Sequence, residues 1–208
     1  MEAYPETFAI VDTETTGMRP GLARVMDIGI IRVERGDVVE RYQTLIHPGM
    51  IVPPYISGFT GIRDVDLEDA PSFDEVALTV ERLLKGSVFV AHNAAFDYGF
   101  IKAEFACVGM EWTAETLCTV QLSRALFPRE RSHSLDAVIE RHGIDISDRH
   151  RALPDAEAVL QFMKKAVDMT EPKILARAVA SVRRAPAGTA VRGSLTYVYD
   201  NADDVIRE

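Results

Sequence analysis

Cysteine is scarce in this sequence: 208 residues contain two, Cys107 and Cys118. A secreted scaffold held by disulfides needs more, so the fold must rest on an apolar core, and a reducing cytoplasm is the expected compartment. Both cysteines read as small buried apolar residues. No run of about 18 apolar residues occurs, which excludes a membrane-spanning helix. The first residues, Met1-Glu2-Ala3-Tyr4-Pro5-Glu6, lack the basic-then-apolar order of a secretory signal. Positive charge is short as well: 23 Lys and Arg face 32 Asp and Glu, for a net charge of −9. That balance argues against gripping long duplex DNA by phosphate neutralisation. It weighs less against holding a few nucleotides, and acids that gather metal ions contribute to it.

With 47% hydrophobic and 26% charged residues, the chain has the composition of a soluble globular domain. Its length suits one domain with at most a small appendage. Residues 7–11 (TFAIV) form an apolar run that predicts a buried strand. Residues 24–33 and 38–46 alternate as strands do, joined by the tight turn Arg35-Gly36-Asp37. Pro53-Pro54 and Gly58 to Gly61 predict an irregular stretch. Helical spacing over 73–84, with Ser72 as N-cap and Gly86 beyond the end, predicts a helix. A second apolar run at 87–91 predicts a strand, and 95–108 a helix closed by Gly109. A short strand at 116–119 follows, then helices reaching Phe127, over 134–141, over 156–169 and over 172–184. This order predicts an α/β domain with a mixed five-stranded sheet flanked by helices. From residue 185 the sequence turns to a linker (Ala185-Pro186-Ala187-Gly188), with one strand-like run at 194–199. The division is therefore 1–184 for the domain and 185–208 for a tail.

Three short motifs carry acids. In Val11-Asp12-Thr13-Glu14-Thr15-Thr16-Gly17, two carboxylates two residues apart leave the end of a buried strand on one face. Such a pair repels itself unless a divalent cation joins it, and oxygen-only donors suit Mg²⁺ or Mn²⁺. By itself the pair is equally well read as turn acids. In Ala91-His92-Asn93-Ala94-Ala95-Phe96-Asp97, Asp97 falls in the first turn of a helix. Complementing the helix dipole is reason enough for an acid there. In His150-Arg151-Ala152-Leu153-Pro154-Asp155-Ala156, Pro154 places the helix start near itself and Asp155 in the first turn, with His150 on the loop upstream. Taken together, four carboxylates and a histidine match phosphodiester hydrolysis by two metal ions about 3.5–4 Å apart. A histidine with an ordinary pKa of about 6.5 suits the removal of a proton from the attacking water.

VDTETTG, HNAAFD and HRALPDA resemble the three motifs of the DEDD exonucleases, in the branch with His in the third motif. The likeness is nearest to the epsilon proofreading subunits of bacterial DNA polymerase III and runs from about Thr7 to about Met169. It implies a ribonuclease H-like fold and release of nucleoside 5′-monophosphates from 3′ ends with two divalent metal ions, Mg²⁺ or Mn²⁺. It makes Asp12, Glu14, Asp97 and Asp155 the metal ligands and His150 the general base. Pro154 departs from the residue often found there. The stretch Ser57-Gly58-Phe59-Thr60-Gly61-Ile62 resembles the family segment that packs on the terminal nucleotide, so Phe59, Thr60 and Ile62 are candidate substrate contacts; a structural turn with Ile62 in the core accounts for it equally. Thr13 is implied near the terminal 3′-hydroxyl, and Asn93 is a candidate for positioning the scissile phosphate or Asp97.

The remaining polar residues have simpler readings. His92 is expected in a structural hydrogen bond, His47 at a strand end, His133 ahead of a helix, and His142 at a helix C-terminus that favours partial charge. Asp64, Asp66, Glu68 and Asp69 read as a solvated loop. Arg124, Arg129, Glu130 and Arg131 are candidates for a rim along a nucleic-acid strand. The expected partner is a nucleic-acid 3′ end, DNA ahead of RNA, with a DNA polymerase subunit as a further candidate and no membrane. An exoribonuclease and a nuclease-dead binding module are the competing readings, the second opposed by the intact five-residue set.

Overall fold

A computed structural model describes residues 1–186. The strand expected at 194–199 lies outside the described residues. The elements are β1 (Thr7–Thr15), β2 (Val25–Glu34), β3 (Asp37–Leu45), α1 (Pro54–Thr60), α2 (Asp64–Leu67), α3 (Phe73–Leu84), β4 (Val88–Ala91), α4 (Ala94–Cys107), β5 (Thr116–Cys118), α5 (Thr119–Leu126), α6 (Leu135–His142), α7 (Ala152–Met169), α8 (Pro172–Val182) and β6 (Arg183–Arg184). They form one mixed sheet in the order β3-β2-β1-β4-β5-β6. β1 runs antiparallel to β2 and parallel to β4, so the first motif sits at the centre of the sheet.

The side-chain alternation of β1 divides the core. Phe8 and Ile10 face one way and pack with Val159, Phe162 and Met163 of α7 and Leu175 and Val179 of α8. Ala9 and Val11 face the other way and pack with Val80 and Leu83 of α3 and Phe100 and Phe105 of α4. Each fully buried Phe or Ile stabilises the fold by about 1.5–3 kcal/mol. Continuing the alternation puts Asp12 and Glu14 on the α7 side and Thr13 on the α4 side. Helix α3 keeps its expected bounds because Ser72 and Glu75 close a capping box.

Four expectations are corrected. The sheet has six strands, since residues 183–184 leave the last helix and pair antiparallel with Thr116 and Leu117, covering the open edge of β5. The stretch around Pro54 and Gly58 is helical; Pro54 presets the first-turn φ and Gly61 ends the helix in the left-handed region at φ 74°. Helix α7 begins at Ala152, upstream of Pro154. Proline is harmless there, because a first-turn N–H has no intrahelical partner. Cys107 is exposed and Cys118 half-buried, so neither is a core residue.

The register between β1 and β2 places the first motif against α7. Asp12 lies opposite Gly29, and Glu14 opposite Asp27. A Cβ on Gly29 would lie 2.4 Å from the backbone of Ala152 and Leu153, so the first turn of α7 rests directly on β2. Asp27, fully buried, accepts from the Ala152 N–H at 3.2 Å, from Arg151 Nε at 2.9 Å and from Gln43 Nε2 at 3.1 Å. These contacts pin the helix start one turn ahead of Asp155.

Candidate active site

The three motifs meet at the C-terminal end of β1. From the α4 side, Asp97 Oδ1 accepts the Thr13 N–H at 3.0 Å and the Thr13 hydroxyl at 2.9 Å. Both Thr13 donors are thereby spent on Asp97, which makes Thr13 a positioning residue for that acid. From the α7 side, donor atoms of Glu14, His150 and Asp155 lie within 4.8 Å of one another. Asp12 is near enough to both groups to feel the charges of Asp97, Asp155 and Glu14.

The electrostatics are those of a site built around cations. Burial, and then the neighbouring acids, hold Asp12 well above the ordinary carboxylate range. The same causes push Glu14 up to about 8. Burial pushes Asp97 up to about 7, against the opposing Thr13 hydrogen bonds. Burial raises Asp155, and its contact with Arg149 opposes the rise. Arg149 reaches Asp155 Oδ2 with one nitrogen and Asp136 at 2.6 Å with another. Asp155 Oδ1 is buried and has no hydrogen-bond partner among the described residues. A buried carboxylate oxygen without a donor is costly, and a divalent cation removes both that cost and the mutual repulsion. Hard oxygen donors of this kind fit Mg²⁺ or Mn²⁺.

His150 is held in a backbone conformation rare for a side-chain-bearing residue, at φ 60°. Its ring packs on Phe59, with centroids 4.1 Å apart, and it remains half-exposed. Of the residues expected to meet substrate, Phe59 is 61% exposed beside the site. Thr60 and Ile62 turn inward: Thr60 donates its hydroxyl to the Ile56 carbonyl at 3.0 Å, and Ile62 packs with Met26, Val52 and Leu67. Asn93 is exposed and occupies the N-cap position of α4 in the left-handed region at φ 76°, at the start of the turn that carries Asp97. His92 has the expected structural role, with Nε2 2.9 Å from the His133 carbonyl and Nδ1 3.0 Å from the Thr119 hydroxyl. The carbonyl only accepts, so Nε2 carries the proton, and the one Thr119 hydroxyl proton is shared between His92 Nδ1 and the Ala91 carbonyl at 3.2 Å.

Asp27, Gly29 and Arg149 belong to the site and were not singled out from sequence. An acid and a glycine inside the apolar run of β2 were the available signals, since neither suits a buried strand without a specific partner.

A family profile described as exonuclease matches residues 9–163. The chain belongs to the exonuclease family. It is 37% identical over 166 residues to the 3′-5′ exonuclease DinG of Staphylococcus epidermidis, covering 79% of this chain and 18% of that protein. It is 37% identical over 164 residues to the PolC-type DNA polymerase III of Thermotoga petrophila, covering 78% of this chain and 12% of the polymerase. The chain thus spans less than a fifth of these relatives. Among solved structures, exonuclease X bound to 5′-overhanging duplex DNA matches with a TM-score of 0.62 and 25% identity over 83% of this chain and 99% of that one. Exonuclease I matches with a TM-score of 0.72 and 21% identity over 82% of this chain and 42% of that one. The nuclease domain of 3′hExo, a DEDDh member bound to rAMP, matches with a TM-score of 0.67 and 14% identity over 80% and 94%. The last two share the fold, which is the ribonuclease H-like α/β architecture expected from the motifs.

Proposed function

We propose that this domain is a 3′→5′ exonuclease that removes nucleoside 5′-monophosphates from unpaired DNA ends. The observation that carries the reading is the convergence of Asp12, Glu14, Asp97, Asp155 and His150 at the end of β1. The four acids would hold two divalent ions, Mg²⁺ or Mn²⁺, which when bound would polarise the attacking water and stabilise the leaving oxygen. His150 takes the proton from the attacking water. Its left-handed backbone and the Phe59 ring hold the imidazole at the mouth of the site. Phe59 offers an exposed aromatic face on which the terminal base stacks. Asn93, exposed at the N-cap position of α4 ahead of Asp97, donates to the scissile phosphate.

DNA is favoured as substrate because exonuclease X, an identifiable relative, is bound to DNA, and the PolC-type DNA polymerase III points the same way. The polymerase relative also supports a place beside a polymerase. Both cysteines are free, which suits a reducing cytoplasm. No described helix is long and apolar enough to cross a membrane.

The test is incubation with 5′-labelled single-stranded DNA and RNA oligomers, with Mn²⁺ or Mg²⁺ and then with EDTA. Stepwise shortening of DNA that stops with EDTA and is lost in Asp12→Ala is expected. Absence of any metal-dependent shortening would overturn the reading, and faster shortening of RNA would overturn the substrate.

A further inference from the structure

The protein is acidic, yet its connection between α5 and α6 is locally basic. Arg124 lies in α5, and Arg129 and Arg131 lie in the connection at residues 127–134. All three are exposed. The acids close by are already paired: Glu130 with Arg141 at 3.3 Å, and Asp136 with Arg149 at 2.6 Å. No carboxylate among the described residues pairs with Arg124, Arg129 or Arg131, whereas arginines elsewhere, such as Arg32, Arg41 and Arg82, have acidic partners. Three unpartnered guanidiniums within eight residues of a chain with net charge −9 form a local reversal of sign.

This basic segment is fastened to the active site. The His133 carbonyl accepts from His92, which is followed by Asn93 and the helix of Asp97. His133 Nδ1 lies 2.8 Å from the Ser123 hydroxyl, tying the segment back to α5. Asp136, at the start of α6, binds Arg149, the neighbour of His150. The adjacent residues Arg149 and His150 therefore reach two different rims. His150 meets the aromatic rim at Phe59, and Arg149 meets the basic rim at α6. A single strand carries stackable bases and anionic phosphates, and the two rims match those two chemistries.

Resting on the exonuclease reading above, we propose that Arg124, Arg129 and Arg131 form a track for internal phosphates of the strand whose 3′ end occupies the carboxylate site. Guanidinium groups bind phosphate oxygens through paired N–H donors, and three of them supply affinity without base preference. A track of this kind explains how a protein with net charge −9 holds a polyanion: the attraction is local to one rim. It also makes binding depend on strand length, because a dinucleotide ends before it reaches the track.

The experiment compares R124Q/R129Q/R131Q with wild type and with a charge-matched control, K85Q/K102Q/R177Q, whose changes lie on α3, α4 and α8 or at their ends. Affinity for labelled oligothymidylates of two and twelve nucleotides is read by anisotropy in Ca²⁺ across a salt series, with thermal melting as a check of folding. The triple variant is expected to bind the dodecamer at least tenfold more weakly. Its log-affinity against log-salt slope should be shallower by about 2, since each phosphate contact on a single strand contributes roughly 0.7. The advantage of twelve nucleotides over two should collapse. A folded triple variant with wild-type slope and affinity overturns the track. An equal loss in the control also overturns it, by showing that net charge alone sets the binding. These outcomes rest on binding and stand apart from the test of hydrolysis, whose failure would instead remove the exonuclease reading.

Discussion

Gly29 and Ala152 touch backbone to backbone, with 2.4 Å between the position of a Cβ on Gly29 and the Ala152 carbonyl carbon. The contact joins the strand opposite Asp12 to the helix that carries Asp155. Gly29→Ala must push α7 off the sheet. A loss of about 1–3 kcal/mol is expected from overpacking, read by urea denaturation. Mn²⁺ affinity should fall with it, because Asp155 moves away from Asp12 and Glu14. A variant with wild-type stability and metal affinity would show that the helix start is not set by this contact.

The raised carboxylates make stability depend on pH and metal together. With Glu14 at about 8 and Asp97 at about 7 in the metal-free fold, both lie above their ordinary values of about 4. Between those limits the folded state holds more protons than the unfolded one, so stability falls as pH rises. Melting of the metal-free protein should therefore drop from about pH 5 to pH 8. Mn²⁺ or Mg²⁺ should restore more at pH 8 than at pH 5, since the ion replaces the protons. Calorimetry in buffers of different ionisation heat should register proton release on metal binding. Melting that is independent of pH with EDTA present would contradict the assignment.

His150 stands close enough to Glu14 and Asp155 to act as a metal ligand as well as a base. The two roles separate in His150→Ala. As a base, its loss lowers kcat by about 10²–10⁴-fold. Metal affinity, measured by titration calorimetry, should then change only a few-fold, because the acids remain. A collapse of metal affinity in this variant would make His150 a ligand instead.

His142 was expected to gain from the end of its helix, and the structure corrects this. It is buried between Phe127 and Phe162, with ring centroids at 4.9 and 5.4 Å, and neither ring nitrogen has a hydrogen-bond partner among the described residues. Burial lowers its pKa, so the folded state resists the proton that the unfolded chain accepts below about pH 6.5. Stability from this group is present above that pH and is lost as pH falls. His142→Phe should remove that acid sensitivity and raise stability by about 1–2 kcal/mol through relief of the unpaired nitrogens. Equal acid sensitivity in the variant and the wild type would rule His142 out as the source.

Much of the site is local in sequence. Asp12 and Glu14 share a face because a strand repeats every two residues, and Asp97 and Asp155 enter at helix starts marked by Asn93 and the 151–154 segment. Those relations span a few residues and obey backbone periodicity, so spacing placed each acid at the end of an element, and the joint order of the three motifs with their family resemblance joined the acids and His150 into one candidate site. The central strands and the helices of both faces were legible for the same reason.

Other features depend on what lies across the fold. Thr60 and Ile62 face inward because residues 54–60 coil into a helix over Met26 and Leu67, which their own turn-like composition does not reveal. β6 exists because β5 offers a free edge to residues 183–184. Asp27 and Gly29 matter through Ala152, more than a hundred residues away in sequence. The sequence by itself determined which acids stand at strand and helix ends and which faces are apolar, since both follow from local period. Only the tertiary structure decided how the helix of Asp155 is seated and which arginines find an acidic partner among the described residues, because close backbone approach and charge partnership arise between distant segments.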